Sequence, residues 1–246
     1  MPRSQTVTPV AVKELDAFKE KCKVDAEAIV LNDFPKKIIE LQELIMSDKF
    51  NVRRLAEVGS FDIGIPVPET PMELSTKRQK MNDSSDNIKG TPVIAYSCGM
   101  VSSNELLSEL VDIVKPQSRQ LIDFLNLVKM WITFMIPRIE DGNNFGVGVQ
   151  EETLALVTQS EQDAATYLDQ ISRYYLNRAR IISKIAKYPH VADYRRTIQE
   201  LDEKEFVSLR LILCELRNQY SSLHDIILKN LEKIKKPRTA HSDHLF

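Results

Sequence analysis

Toward the C-terminal end, apolar side chains recur every three or four positions at Phe206, Leu209, Leu213, Leu216, Tyr220, Leu223, Ile227 and Ile234, with Asn230 as the one break. That spacing lays a single apolar stripe along a helix. A second stripe, Val157, Ala164, Leu168, Ile171, Tyr175, Ile182 and Ile185, precedes it and runs into Pro189. Proline cannot continue a regular helix without a kink or break, so the two stripes are read as separate helices divided near Tyr188 to His190. In the middle of the chain Leu121, Leu125, Val128, Ile132 and Met135 repeat the pattern as far as Pro137, and Pro116 is expected to bend the first part. Near the start, Leu15, Phe18, Cys22, Ile29, Ile38, Leu41 and Ile45 do the same around Pro35. Four amphipathic helices of roughly 30 to 45 residues, at ~1.5 Å per residue, make rods on the order of 45 to 65 Å long. No stretch offers strands joined by hairpin turns. The expected fold class is therefore all-α, an elongated antiparallel four-helix bundle.

Glycine marks where the rods stop, because it is costly inside helices and cheap in turns. The seven glycines lie at positions 59, 64, 90, 99, 142, 146 and 148, leaving blocks 1–58, 100–141 and 149–246 free of them. Between the first two helices stand Pro66, Pro68, Pro71 and Pro92 with the polar run Asn82-Asp83-Ser84-Ser85-Asp86, the composition of a long, mostly disordered insertion. The expected organisation is a first helix region at 1–59, a flexible insertion at 60–101, helices two to four at 102–238 with a loop at 138–148, and a C-terminal tail at 239–246.

Charge and cysteine content exclude several function classes. With 33 basic and 35 acidic residues the net charge is -2, which gives no global field to gather nucleic acid or an anionic membrane, and neither is expected as a partner. Met1 to Val10 holds no apolar segment of signal-peptide length, and the run Leu125 to Ile136 is interrupted by Asn126, Lys129 and Thr133. A soluble, intracellular chain is expected. Cys22, Cys98 and Cys214 are odd in number, far apart and without a CxxC pair, suggesting neither a disulfide framework nor a zinc site.

Three segments carry candidate chemistry. The first is Arg138-Ile139-Glu140-Asp141-Gly142-Asn143-Asn144-Phe145-Gly146-Val147-Gly148. A plain connection between antiparallel helices needs only about two to eight residues. Here Asn143 and Asn144 tolerate left-handed backbone, Gly146 and Gly148 relax it, and Phe145 would stand as an aromatic at a loop tip. No GK[ST] follows and no strand precedes, so it is not a phosphate loop, and it lacks the oxygen-ligand spacing of an EF-hand. The second segment is basic: Lys77-Arg78-Gln79-Lys80 inside the insertion is either a nuclear-import signal or a solubilising linker. Lys233, Lys235, Lys236 and Arg238 form another basic group, suited to a helix C-terminus. The third is the ending His244-Leu245-Phe246, either a frayed terminus or an apolar anchor on a mobile tail. His190, His224, His241 and His244 have no Glu three positions before them, as bundle di-metal sites require, and no Gly-x-Ser-x-Gly occurs. No catalytic residue, metal or cofactor is expected.

Long strings then set a family beside the chain. The loop Arg138 to Val147, Asp169-Gln170-Ile171-Ser172-Arg173-Tyr174-Tyr175, Lys184-Ile185-Ala186-Lys187-Tyr188-Pro189-His190-Val191 and Leu216-Arg217-Asn218-Gln219-Tyr220 resemble the REG (eleven-S) proteasome activators, the gamma branch most closely. The resemblance is dense from about Lys115 to Arg238 and looser before it.

It implies a homoheptameric ring of four-helix subunits around a channel through which peptide substrates pass, an ATP-independent and non-enzymatic activator of the core proteasome. Arg138, Ile139, Glu140, Asp141, Gly142, Asn143, Asn144, Phe145, Gly146 and Val147 would be the activation loop, with Asn143 its critical asparagine, pressing on the outer alpha ring to hold the substrate gate open. His244, Leu245 and Phe246 would be the proteasome-binding tail, Arg180 a channel-facing residue, and Lys77, Arg78 and Lys80 a nuclear-import signal for a nuclear protein with a cytoplasmic share. Departures from the branch are Arg180 where lysine would be the closer match, Phe246 where tyrosine is usual, and Gln79 inside the basic cluster. Two rival classes stay open: a structural helical-bundle or coiled-coil scaffold with no gate-opening role, and an enzyme with a site in the bundle.

Overall fold

A computed structural model describes residues 9–67, 100–138 and 144–238, and every regular element among them is helical. The first rod consists of α1 (Pro9–Ala28), a π-helical turn Ile29–Asp33 and α2 (Phe34–Met46). Two short 3₁₀ turns lead to α3 (Leu55–Gly59), and the remaining rods are α4 (Glu105–Met135), α5 (Phe145–Lys187) and α6 (Ala192–Lys229), which α7 (Leu231–Lys235) extends. No membrane-crossing helix, long and apolar enough to span a bilayer, occurs among the described residues.

The breaks have local causes. Pro35 has no N–H to return to Leu31, and the chain just before it widens into the π turn, in which the Phe34 N–H reaches back to the Ile29 carbonyl. The turn delivers Phe34 fully into the core, where its ring meets Tyr220 edge-on at 5.0 Å and 77°. Asn104 caps α4: its Oδ1 accepts from the Leu107 N–H at 3.3 Å. Helix α4 stops at Met135 because Ile136, in front of Pro137, is extended with φ -67 and ψ 123. Pro116 is exposed inside α4, and the helix continues through it over 31 residues. Pro189 divides α5 from α6 as its spacing implies. Asn230, the one gap in the last stripe, sits where α6 gives way to α7, its Nδ2 donating to the Ile226 carbonyl at 2.9 Å.

Cross-rod contacts fix the directions. Against α4, Cys22 meets Leu127, Lys37 meets Gln117, Lys49 meets Glu109 and Asn104 meets Val58, so the first rod runs antiparallel to α4. Gln150 reaches Met135 and Arg178 reaches Ser102, so α5 runs back along α4. Tyr174 bonds Asp202 and Gln150 bonds Ile234, so α6 runs back along α5. The result is up-down-up-down, with Arg138, Asn144 and Arg238 at one end and Pro66 and Val101, on either side of the undescribed residues 68–99, at the other.

Core formation follows the stripes. Phe206, Leu209, Leu213, Leu216, Tyr220, Leu223, Ile227 and Ile234 are all buried and pack with Leu121, Leu125, Val128, Trp131 and Ile132 from α4. Each such fully buried side chain contributes on the order of 1.5–3 kcal/mol of transfer free energy. The first stripe departs from expectation: Cys22, Ile29, Leu41 and Ile45 are buried, but Leu15 and Phe18 stand 51% and 56% exposed. Among the described residues, no rod covers the outer side of their stretch of α1. The insertion also holds to the bundle longer than its composition implies, because Ile63 and Ile65 pack on Ile185 and Ile198, and Arg195 donates to the Pro66 carbonyl at 3.1 Å.

Candidate functional site

At the end where α4 turns into α5, the stems of the expected loop meet the C-terminal segment. Arg138 and Asn144 are exposed on either side of residues 139–143, which lie outside the described residues together with Asn143 itself. Phe145 is not at a loop tip. It opens α5, and the Lys233 ammonium lies 4.8 Å from its ring centroid, a cation–π contact from α7. Gly146, buried in the first turn of α5, answers a steric demand rather than a conformational one: a Cβ there would lie 2.0 Å from the Pro237 carbonyl oxygen. Gly148 has open space at the same position.

Two side chains then tie the three strands of chain together. The Gln150 amide, fully buried, donates from Nε2 to the Met135 carbonyl at 2.9 Å and to the Ile234 carbonyl at 2.7 Å, joining the end of α4 to α7. Carbonyls at a helix C-terminus have no intrahelical donor, so this amide answers a general need of both helix ends. Arg238 donates from Nη2 to the Arg138 carbonyl at 3.1 Å and to the Asn144 Oδ1 at 3.1 Å, bridging the loop's two stems. Lys235 pairs with Glu27 of α1. Of the basic cluster near the C-terminus, three members thus hold the last described segment to its neighbours.

The other expected site residues separate from this group. His244, Leu245 and Phe246 follow the last described residue, and Lys77, Arg78 and Lys80 lie in the insertion, all outside the described residues. Arg180 is exposed on α5, toward the opposite end of the bundle.

That opposite end holds a buried polar network that the apolar stripes do not announce. Asp202, 1% exposed, accepts from the Tyr174 hydroxyl at 2.9 Å, from Arg178 Nε at 3.1 Å and from Asn104 Nδ2 at 3.0 Å. Arg178 also donates to the Ser102 carbonyl at 3.3 Å, and Asn104 to the Val58 carbonyl at 3.1 Å, so one carboxylate joins α5, α6, the start of α4 and α3. Burial, then the negative charge of Asp202, pushes the Tyr174 hydroxyl far above its ordinary range. The signal was present in the spacing: Arg178 falls between Tyr175 and Ile182 on the α5 stripe, and Asp202 between Ile198 and Phe206 on α6. A charge at a stripe position of each of two neighbouring helices points to a buried pair.

Glu205 lies one turn further along α6, 8% exposed, and its carboxyl is pushed up to about 7 by burial; Lys204 opposes the shift and Asp202 adds to it. Its folded value stands above its unfolded one, so the folded state holds the extra proton between about pH 4.5 and 7, and stability falls as pH rises through that window. Glu205→Gln removes the buried charge. It is expected to raise stability by about 1–3 kcal/mol at pH 8 and to leave it nearly unchanged at pH 4. Thermal denaturation of both proteins at the two pH values checks this, and an equal effect at both would overturn it.

The geometry defines a class first: an elongated four-rod helical bundle in which the end of α4, the start of α5 and the segment after α7 meet on one end face, with its buried charges joining helices. Residues 9–70 match the proteasome activator PA28 N-terminal family model and residues 100–244 the C-terminal one. The chain belongs to the proteasome activator PA28 family. It is 48% identical to proteasome activator complex subunit 3 of Gallus gallus, over 98% of each chain, and 48% identical to that of Homo sapiens, over 95% of each. Among solved structures, the 11S subunit of the Plasmodium falciparum proteasome, PA28, superposes with TM-score 0.76 at 30% identity, covering 97% of this chain and 99% of that one. The fold also matches PA26 solved in complex with an archaeal 20S proteasome, with TM-score 0.61 at 14% identity, covering 97% of this chain and 100% of that one.

Proposed function

We propose that this chain is an ATP-independent activator of the core proteasome, a regulatory protein rather than a peptidase. Copies form a homoheptameric ring, dock on the outer alpha ring through tails ending in His244, Leu245 and Phe246, and open the substrate gate with the loop Arg138 to Val147. The observation that carries this reading is the placement of both loop stems and the root of the tail on one end of the bundle, tied by Gln150 and Arg238. A device that binds and acts on the same surface needs both parts on one face.

Further support comes from the sides of the bundle. Val12, Leu15, Phe18 and Val24 on α1, Leu176 on α5, and Val207 and Leu211 on α6 are 41–67% exposed, apolar surface of the kind that neighbouring subunits cover. Tails held together in a ring bind far more tightly than one alone, because each later contact is intramolecular. Loop contacts that favour the open gate shift its equilibrium without any bond chemistry. Arg180 would face the channel, where its guanidinium keeps a positive charge in the path of passing peptides. The Lys77, Arg78 and Lys80 cluster supports entry into the nucleus.

The deciding measurement is hydrolysis of a short fluorogenic peptide by core proteasome with and without the purified chain, alongside the chain alone. Stimulation only in the mixture is expected. Turnover by the chain alone would favour an enzyme, and no effect in any combination would favour the scaffold. Deleting Leu245 and Phe246 is expected to weaken association with the core particle by about a hundredfold or more while the bundle's thermal midpoint stays put. Unchanged binding of that variant in a pull-down would remove the tail from the mechanism.

A further inference from the structure

The proposed function treats the loop as the part that acts on the gate and the tail as the part that binds. Contacts at the end face join them. Arg138, Asn144, Gly146 and Gln150 on the loop side meet Ile234, Pro237 and Arg238 on the tail side. The partners are 84 to 100 residues apart in sequence, so none of these contacts follows from local chain geometry. Each has a different physical basis: a buried amide on two carbonyls, a missing Cβ against a backbone carbonyl, and a guanidinium on a carbonyl and a carboxamide.

We infer that Arg238 is a positioning residue of the activation device, and that with Gln150 and Gly146 it makes the tail root and the loop stems one mechanical unit, so that a docked tail sets the position of the loop. The inference rests on the functional reading given above. Its physical content is that both stems of the loop are held by one guanidinium: Nη2 sits 3.1 Å from the carbonyl of Arg138 on the outgoing stem and 3.1 Å from the side chain of Asn144 on the returning one. Arg138 and Asn144, which flank residues 139–143 in the sequence, are thereby fixed relative to Pro237. Gly146 sets the separation, because any larger residue would push the Pro237 backbone away from the first turn of α5. Gln150 closes the unit from inside the bundle, where its buried amide donates to two carbonyls.

A tail that merely binds and a loop that merely opens would respond to mutation separately. If they are one unit, loosening the tie lowers the stimulation reached at saturation and leaves the concentration needed for saturation nearly unchanged. Arg238→Ala and Asn144→Ala remove the two ends of one hydrogen bond at solvent-reachable positions, so both variants are expected to assemble as the unmodified protein does.

The experiment is a double-mutant cycle on the full chain with core proteasome and a short fluorogenic peptide, each variant titrated to saturation. Each single variant is expected to lower maximal stimulation by about three- to tenfold, with half-saturation within about twofold, and the double variant to be no worse than the more severe single. Arg238→Lys is expected to recover only part, since an ammonium keeps the charge but not the planar fork. Sedimentation confirms the assembly state of each. Full maximal stimulation by Arg238→Ala, or single effects that multiply in the double variant, would overturn the coupling while leaving the activator function intact. Failure of the unmodified protein to stimulate the core proteasome would overturn that function and the coupling with it.

Discussion

Asn143→Tyr is expected to assemble and to bind the core proteasome as the unmodified chain does, yet to stimulate peptide hydrolysis by less than about a tenth as much. The stems explain why assembly and docking should survive. Gly146, Gln150 and Arg238 hold the end face through contacts that do not involve position 143, and Asn143 is followed by Asn144, which is exposed. A substitution at 143 is therefore expected to spare these contacts. What changes is the fit to the gate: asparagine is compact and accepts left-handed backbone cheaply, whereas tyrosine adds a ring and pays more for that conformation. A ligand shifts a two-state gate only by its differential affinity for the two states. Summed over the proposed heptamer, a loss of about 0.5 kcal/mol per loop comes to ~3.5 kcal/mol, more than a hundredfold in the gate equilibrium. Peptide hydrolysis at saturating activator, beside a binding assay on the same preparation, measures both halves. Full stimulation by Asn143→Tyr would take the loop out of the mechanism.

The second large effect concerns stability. Asp202→Ala is expected to lose about 3–5 kcal/mol, because it strands a guanidinium in the interior. Arg178 is 4% exposed, and without Asp202 it loses its carboxylate partner and keeps the Ser102 carbonyl and the face of the Phe61 ring, 5.7 Å away; the Tyr174 hydroxyl and the Asn104 amide each lose an acceptor as well. An unpaired buried charge costs far more than a missing contact between neutral groups. Replacing both partners, Arg178→Met with Asp202→Leu, is expected to cost less than Asp202→Ala alone, since no orphaned charge remains. Urea denaturation of the three proteins separates these outcomes. A double variant as unstable as the single one would show that the ion pair is not the element at stake.

Apolar spacing and proline mark the rods and most of their ends. Pro137 and Pro189 stop helices through groups that proline lacks or displaces, and Asn230 interrupts the α6 stripe where α7 begins. These effects act within a turn or two, so spacing and residue type reveal them. Leu15 and Phe18 mark the limit of that method: periodicity says that a face is apolar, and only packing says whether a neighbour from the same chain covers it. The same limit applies at the junction of α4 and α5, where Gly146 and Gly148 read as loop and Phe145 as a loop tip, whereas α5 begins at Phe145.

What the chain determines by itself is therefore local: four amphipathic rods, their breaks, and an all-helical class. Tertiary structure decided which distant residues share a place, above all Gly146 against Pro237, Arg238 across Arg138 and Asn144, and Asp202 beneath Arg178 and Tyr174. The reason is geometric. A helix repeats every ~3.6 residues and advances ~1.5 Å per residue, so its pattern is written in neighbouring positions. The register between rods depends on their full lengths and on how their side chains interlock, and no short stretch of sequence carries that sum.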